Sequence, residues 1–223
     1  MTLAADRPDY LPAAGYFFKM ARAHLFVIAD DVQYTTAGLA HRALIRSAGE
    51  PLWLSVPVLT GGKGVQQIRE VQIDHSKNWR QKHRKALRLN YGYAPYFEYY
   101  EDFFEQLYRK EWKFLIDLNL AGIEFLRSAC GIRTPLRFSS EFNAPAGAAE
   151  KIIDIARKTG CRGYLALPED RAFLQADLFT EAGIALEWLD FPPPGGQDLL
   201  NLSLVDMLFH YGPETARQCG FAR

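Results

Sequence analysis

The chain has 223 residues, with 26 Lys plus Arg set against 26 Asp plus Glu and a sequence pI of about 7.0, a balance that argues against a duplex nucleic-acid binder, which carries a basic excess. Three scattered cysteines, Cys130, Cys161 and Cys219, have no CxxC spacing, so neither a zinc site nor a secreted disulfide framework is indicated. Asp6, Arg7 and Asp9 stand where a signal peptide needs an apolar run, and no apolar stretch of membrane-spanning length follows, so a cytoplasmic protein is expected.

In chain order, residues 2–5 form a short apolar strand, and the loop from Asp6 to Pro12 carries two prolines that keep it irregular. Residues 13–22 follow as a helix, with Tyr16, Met20 and Ala23 at helical spacing. Leu25 to Ala29 is a continuous apolar run that ends in Asp30-Asp31, the pattern of a buried strand. Residues 42–47 and 52–58 pair as a hairpin around Ala48-Gly-Glu-Pro51, and Thr60-Gly-Gly-Lys-Gly64 reads as a flap before a strand near 67–73. Asn78 caps a helix that runs to about Leu89, and helical stretches follow at 97–108 and 112–129, the latter stopped by Gly131. The last third alternates: helix 147–158, strand 163–167, helix 169–181, strand 184–189. After the stiff Pro192-Pro-Pro-Gly-Gly196 loop, Ser203 and Asp206 have capping-box spacing. Leu204, Leu208 and Tyr211 line one face of a final helix that Gly212-Pro213 ends. The expected fold is one α/β domain over residues 1–223. Its mixed, largely parallel sheet is flanked by helices, with a β-hairpin and a helical subdomain over 74–130 in the middle.

Open parallel sheets bind ligands outside the carboxyl ends of their strands. Those ends carry Asp6, Asp30 with Asp31, and Asp190. Carboxylates crowded in one crevice raise at least one pKa and make a base or a cation site; Asp is also a common turn former at strand ends. In the helix from 78, Trp79, His83, Ala86, Leu87 and Asn90 share one face, while Arg80, Arg84 and Arg88 lie opposite. His83 is therefore either a satisfied core histidine or a site histidine beside an aromatic wall. His41 and Arg42 point to opposite faces at the start of the hairpin, so one of them can reach the crevice. The glycine loop lacks the trailing Lys-Ser/Thr of a phosphate loop, and Cys161 has no histidine beside it in sequence to activate it.

Pro8-Asp-Tyr-Leu-Pro-Ala-Ala-Gly-Tyr-Phe-Phe-Lys-Met20 resembles the opening of the WbqC-like family. The likeness continues through Phe26-Val-Ile-Ala-Asp-Asp-Val-Gln33, Trp53-Leu-Ser-Val-Pro-Val58, Asn78-Trp-Arg-Gln-Lys-His83 and Tyr91-Gly-Tyr-Ala-Pro-Tyr-Phe97. It closes with Asn201-Leu-Ser-Leu-Val-Asp-Met-Leu-Phe209 and Gly212-Pro213. Each motif is weak alone; the ordered set covers almost the whole chain. The resemblance implies a bacterial protein of surface-polysaccharide biosynthesis, a transferase of acyl or aminoacyl groups to an amine such as an amino sugar. Departures from the family pattern are Asp6-Arg7-Pro8 for His-Gln-Pro, His41-Arg42-Ala43 for Asn-Arg-Asn, Ala166-Leu167 for Ser-Gly, and the loss of Tyr-Pro-Gln around Pro194.

On this reading Asp31, His83 and Asp6 are the catalytic candidates, with Asp31 or His83 as base. Arg42, Lys19 and Tyr10 would hold the acyl oxygen or an anion, Trp79 and Tyr91 would form a sugar-stacking wall, and Asp30, Gln33 and His41 complete the substrate set. No metal is assigned and no cofactor is required beyond a carrier-protein phosphopantetheine thioester as donor. The expected partners are a small-molecule or sugar substrate and an acyl or peptidyl carrier protein, with no specific nucleic acid. A second reading is an altered, non-catalytic member that binds a glycosyl or nucleotide-linked ligand. A weaker third is a nucleotide-dependent enzyme with a metal held by Asp30 and Asp31.

Overall fold

The computed structural model describes residues 1–145, 147–192, 196 and 201–221. Its strands are β1 (Thr2–Asp6), β2 (Leu25–Ile28), β3 (Arg42–Ile45), β4 (Leu52–Ser55), β5 (Leu136–Phe138), β6 (Gly163–Ala166) and β7 (Ala185–Trp188). Its helices are α1 (Ala14–Arg22), α2 (Trp79–Tyr91), α3 (Phe97–Arg109), α4 (Leu115–Ala129), α5 (Ala148–Thr159), α6 (Ala176–Glu181), α7 (Leu204–Tyr211) and α8 (Thr215–Gln218). Five strands make one sheet in the order β5-β2-β1-β6-β7, every neighbour pair parallel, and β3 and β4 form a separate antiparallel hairpin.

The strand order explains why the sheet is apolar on both faces. The chain winds outward from β1 to β2 and β5, then returns through α5 to β6 on the other side of β1. In β2, Phe26 and Ile28 join the core with Tyr16, Phe17 and Met20 of α1. Leu25 and Val27 turn to the opposite core, with Ile152 and Ile155 of α5 and Phe179 of α6. A strand covered on both sides must read as an unbroken apolar run, and all four β2 residues are buried. The first of these cores continues through the hairpin and α2–α4 to α7, with Trp79, Tyr91, Phe104, Leu118 and Phe209 among its members.

The row of Arg80, Arg84 and Arg88 does not stand free. It faces Glu111, Glu105 and Glu101 at 3.3, 3.4 and 3.1 Å, an ion-pair ladder along α3 and the residue pair just past it. Arg84 is about half exposed there, so Arg84→Ala is expected to change stability by no more than about 0.5 kcal/mol, read by thermal denaturation. Among the described residues no helix is long and apolar enough to cross a membrane.

Several local expectations need correction. Residues 67–73 do not form a strand but a 3-10 turn at Ile68–Glu70, closed by the Gln67 N–H donating to the Glu70 carboxylate. The flanking residues bridge three different segments, Gln67 to Gln33, Ile73 to Val58 and Gln72 to Phe114, so no single ladder forms. The helix expected at 169–181 is divided into a 3-10 turn at Pro168–Ala172 and α6, because the Asp170 carboxylate accepts the Leu167 N–H and ties the turn tightly. Asn78 donates to Gln81 Oε1 and does not cap α2 through its side chain. Tyr211 is exposed and not on the buried face of α7, and the three-residue β5 is an addition. Pro193, Pro194 and Gly195 lie outside the described residues, and with them the Tyr-Pro-Gln departure.

Candidate functional site

The winding direction reverses between β1 and β6, and a cleft of about 530 Å³ opens beyond their carboxyl ends. Asp6 and Arg7 reach it from β1, Ala29 from the end of β2, Leu167 and Asp170 from the end of β6, Tyr16 from α1, and Ala148 and Lys151 from the first turn of α5. This is the crevice where open α/β sheets bind ligands. A second cavity of similar volume, about 530 Å³, opens beside the residues just before β2 and β5, including His24, Cys130 and Pro135. Burial pushes the Cys130 thiol up to about 12, which makes it a poor nucleophile.

A closed charge network forms the floor of the first cleft. The Lys19 ammonium is 1% exposed and sits 2.8 Å from Asp6 and 3.1 Å from Asp170. Burial alone would strip its proton, but Asp6, Tyr164 and Asp170 hold that proton on, well above the ordinary lysine value. Asp6 also accepts the Arg7 N–H at 2.9 Å.

Above this floor lies Asp9. Its loop is braced by Asn119, which donates to the Pro8 and Ala40 carbonyls at 2.7 and 2.6 Å, and by the Tyr10 N–H on the Leu39 carbonyl. Leu11 takes a left-handed φ of 42° there and packs on α4, where a Cβ at Gly122 would come within 3.2 Å of its Cδ2; such strain persists only where the surroundings hold it. The Asp9 side chain is 7% exposed, lines the cleft, and has an Oδ1 without a hydrogen-bond partner among the described residues. Burial and the Asp6 charge raise its pKa to about 7, against the pull of Arg7 and Lys19. Beside it the Tyr16 hydroxyl is buried, likewise unpartnered, and kept protonated by burial and by the Asp6 and Asp9 charges. A buried carboxyl that titrates near neutral pH, next to a free hydroxyl donor, is suited to moving one proton and steadying one developing negative charge.

The model of the WbqC-like protein family matches residues 7–218. The chain belongs to that family. It is also 29% identical to the uncharacterized protein Rv1507c of Mycobacterium tuberculosis over 97% of this chain and 98% of that one. No solved structure matches it.

In this WbqC-like chain the residues singled out by sequence are spread over five places. Asp6 and Gln33 line the cleft, and Lys19 lies directly behind Asp6. Asp31 lies behind the α5 wall, where its carboxylate accepts from Lys151 at 2.7 Å and from Ser139. Burial would raise its pKa, yet those hydrogen bonds win and lower it, which weakens it as a base. Asp30 is taken up by the Ser139 hydroxyl and by the N–H and hydroxyl of Ser140. Among the described residues no group of three or more His, Cys, Asp and Glu is placed to hold a metal ion.

Neither Asp31 nor His83 joins Asp6 on the lining of the cleft. His83 lines a different groove, of about 400 Å³, between β4 and α2, together with Trp79 and Trp53. Its Nε2 donates to the Ser55 carbonyl at 3.1 Å, which leaves Nδ1 to accept from the Tyr10 hydroxyl at 3.0 Å, and Tyr108 donates in turn to Tyr10 at 2.7 Å. Burial lowers the His83 pKa to about 4 against the pull of the Ser55 hydrogen bond. The satisfied-core alternative therefore describes His83, and Tyr10 and Trp79 belong to its knot. An NMR titration should place the ring midpoint near 4. Because the unfolded chain binds this proton first, His83 should cost stability as pH falls from about 6.5 toward 4.

Tyr91 is buried, donates to Asp206 at 3.1 Å and accepts the Arg46 N–H at 2.9 Å, while Arg46 grips Asp206 through two 2.9 Å bonds. It is a joint between the hairpin and α7, not a stacking wall. Arg42 donates to the Ala37 carbonyl and lies 4.6 Å over the Trp53 ring, and His41 sits edge-on to Tyr34. Neither lines the cleft among its described residues. Sequence reasoning passed over Asp9, Tyr16, Arg7, Lys151 and Asp170. The strand-end rule that selected Asp6 reaches Asp9 three residues on. Tyr16 was hidden by its place in an apolar stripe.

Proposed function

We propose that this WbqC-like protein transfers an acyl or aminoacyl group to an amine, with Asp9 rather than Asp31 as the base. The reading is carried by one observation: a buried Asp9 carboxyl with an oxygen unpartnered among the described residues, poised near pKa 7, on the wall of the switch-point cleft. The cleft volume of about 530 Å³ is in the range of small-molecule sites. As the amine nitrogen bonds to the acyl carbon, its N–H proton passes to Asp9 and the Tyr16 hydroxyl donates to the carbonyl oxygen. The carbon–sulfur bond of the donor thioester then breaks, and the thiolate leaves with the proton returned from Asp9. The donor is a phosphopantetheine thioester on an acyl or peptidyl carrier protein. The amino-sugar acceptor and its place in surface-polysaccharide biosynthesis follow from the family resemblance, not from the cleft.

A mass-spectrometric assay of amino-sugar nucleotides with loaded carrier proteins tests the reading, through formation of the amide product. The alternative is a binding protein for a glycosyl or nucleotide-linked ligand. It is favoured by the way Asp6, Lys19 and Asp170 are spent on one another. Ligand binding with no product across the donor and acceptor panel would select it.

A further inference from the structure

The cleft carries opposite charges on one loop. Arg7 lines it within two residues of Asp9, and the Asp9 N–H donates to the Arg7 carbonyl at 2.9 Å. The other cations near the cleft are engaged, Lys19 with Asp6 and Asp170, and Lys151 with Asp31. The Arg7 guanidinium has no hydrogen-bond or ion-pair partner among the described residues. It does not pair with Asp9, although the two are close enough for Arg7 to lower the Asp9 proton affinity. Its Nη1 lies beside Gly38, where a Cβ would come within 3.4 Å of it. Among the described residues the site thus presents an unpaired planar cation beside a buried carboxyl with one unpartnered oxygen.

We propose that the ligand of this cleft is zwitterionic, carrying an anionic group beside its amine, and that Arg7 is the residue that reads the anion. This rests on the reading of Asp9 as the amine's partner. A guanidinium fork matches phosphate and carboxylate equally well, by two parallel N–H···O bonds. Elsewhere on the wall Asp6, Asp170 and Glu169 would repel the anion, and the other wall cation, Lys151, is paired with Asp31. Arg7 therefore fixes the orientation: anion toward the loop at Gly38, amine toward Asp9 and Tyr16.

The experiment is isothermal titration calorimetry of the full chain, as wild type, Arg7→Gln and Asp9→Asn. The probes are glucosamine, glucosamine 1-phosphate, glucosaminic acid and glucose 1-phosphate. At least one of the two amine-plus-anion probes should bind about tenfold or more tighter than glucosamine, the scale of a charge-assisted hydrogen bond. The probe that does so tells phosphate from carboxylate. Arg7→Gln should bring the affinity of that probe down to the variant's own affinity for glucosamine, with a melting temperature like that of wild type. A gain absent from the wild type, or one that survives Arg7→Gln, overturns the assignment of Arg7. Equal binding of glucosamine 1-phosphate and glucose 1-phosphate overturns the amine reading of Asp9 and leaves Arg7 standing. No binding of any probe counts against both.

Discussion

Asp9→Asn should cut turnover by about a hundred- to ten-thousand-fold, the usual contribution of a positioned acid–base group. The amide keeps the size of the carboxyl but cannot take a proton. In the wild type, kcat/KM should rise with pH on a limb centred near 7, where Asp9 loses its proton; the residual activity of the variant should lack that limb. The same group shapes stability with a definite sign. An unfolded aspartate titrates near 3.9, so between about pH 4 and 7 the folded protein binds the extra proton. Asp9 therefore lowers stability as pH rises through that window. Each tenfold change in proton affinity is worth about 1.4 kcal/mol. Asp9→Asn should consequently match wild type near pH 4 and melt higher than wild type at pH 8. Full activity in Asp9→Asn would remove it from the reaction.

Lys19→Met should destabilise the protein by about 3–5 kcal/mol, since removing one member of a buried ionic network leaves the others uncompensated. Here the survivors are Asp6 and Asp170, both within 3.1 Å of the lost ammonium. A Lys19→Met/Asp170→Asn double variant should recover part of the loss. Urea denaturation supplies the measurement, and a cost below about 1 kcal/mol would mean that the network is not load-sharing. A lysine that bound substrate directly, as first expected from sequence, would raise KM with little change in stability; the 1% exposure of Lys19 argues for the structural outcome.

Much of the fold was legible because its signals are local. The unbroken run from Leu25 and the turn at Gly160 before Gly163 mark buried parallel strands, and both are found. The short β5 was not legible, because Leu136–Phe138 gains its place only by pairing with β2. Nor was the end of the 3-10 turn at Pro168–Ala172, which depends on the Asp170 carboxylate reaching back to Leu167. The site was legible at Asp6 and Gln33, where a strand end or adjoining loop leads straight into the cleft. It was misread at His83, because an inward helix face shows that a histidine is buried but not who answers its two nitrogens. Ser55, Tyr10 and Tyr108 come from distant parts of the chain. Asp9 was missed for a related reason: its raised pKa comes from burial in a loop braced by Asn119, which lies 111 positions from the Pro8 carbonyl it holds.

The most direct test is a carbon-13 NMR titration of the Asp9 carboxyl, assigned with the Asp9→Asn variant and recorded with and without a saturating amine ligand. A midpoint near 7 in the free protein, moving toward lower pH when the ammonium is bound, is the expected result. A midpoint near 4 in the free protein, unmoved by any amine, would contradict Asp9 as the cleft's base and with it the amine-directed reading of the site.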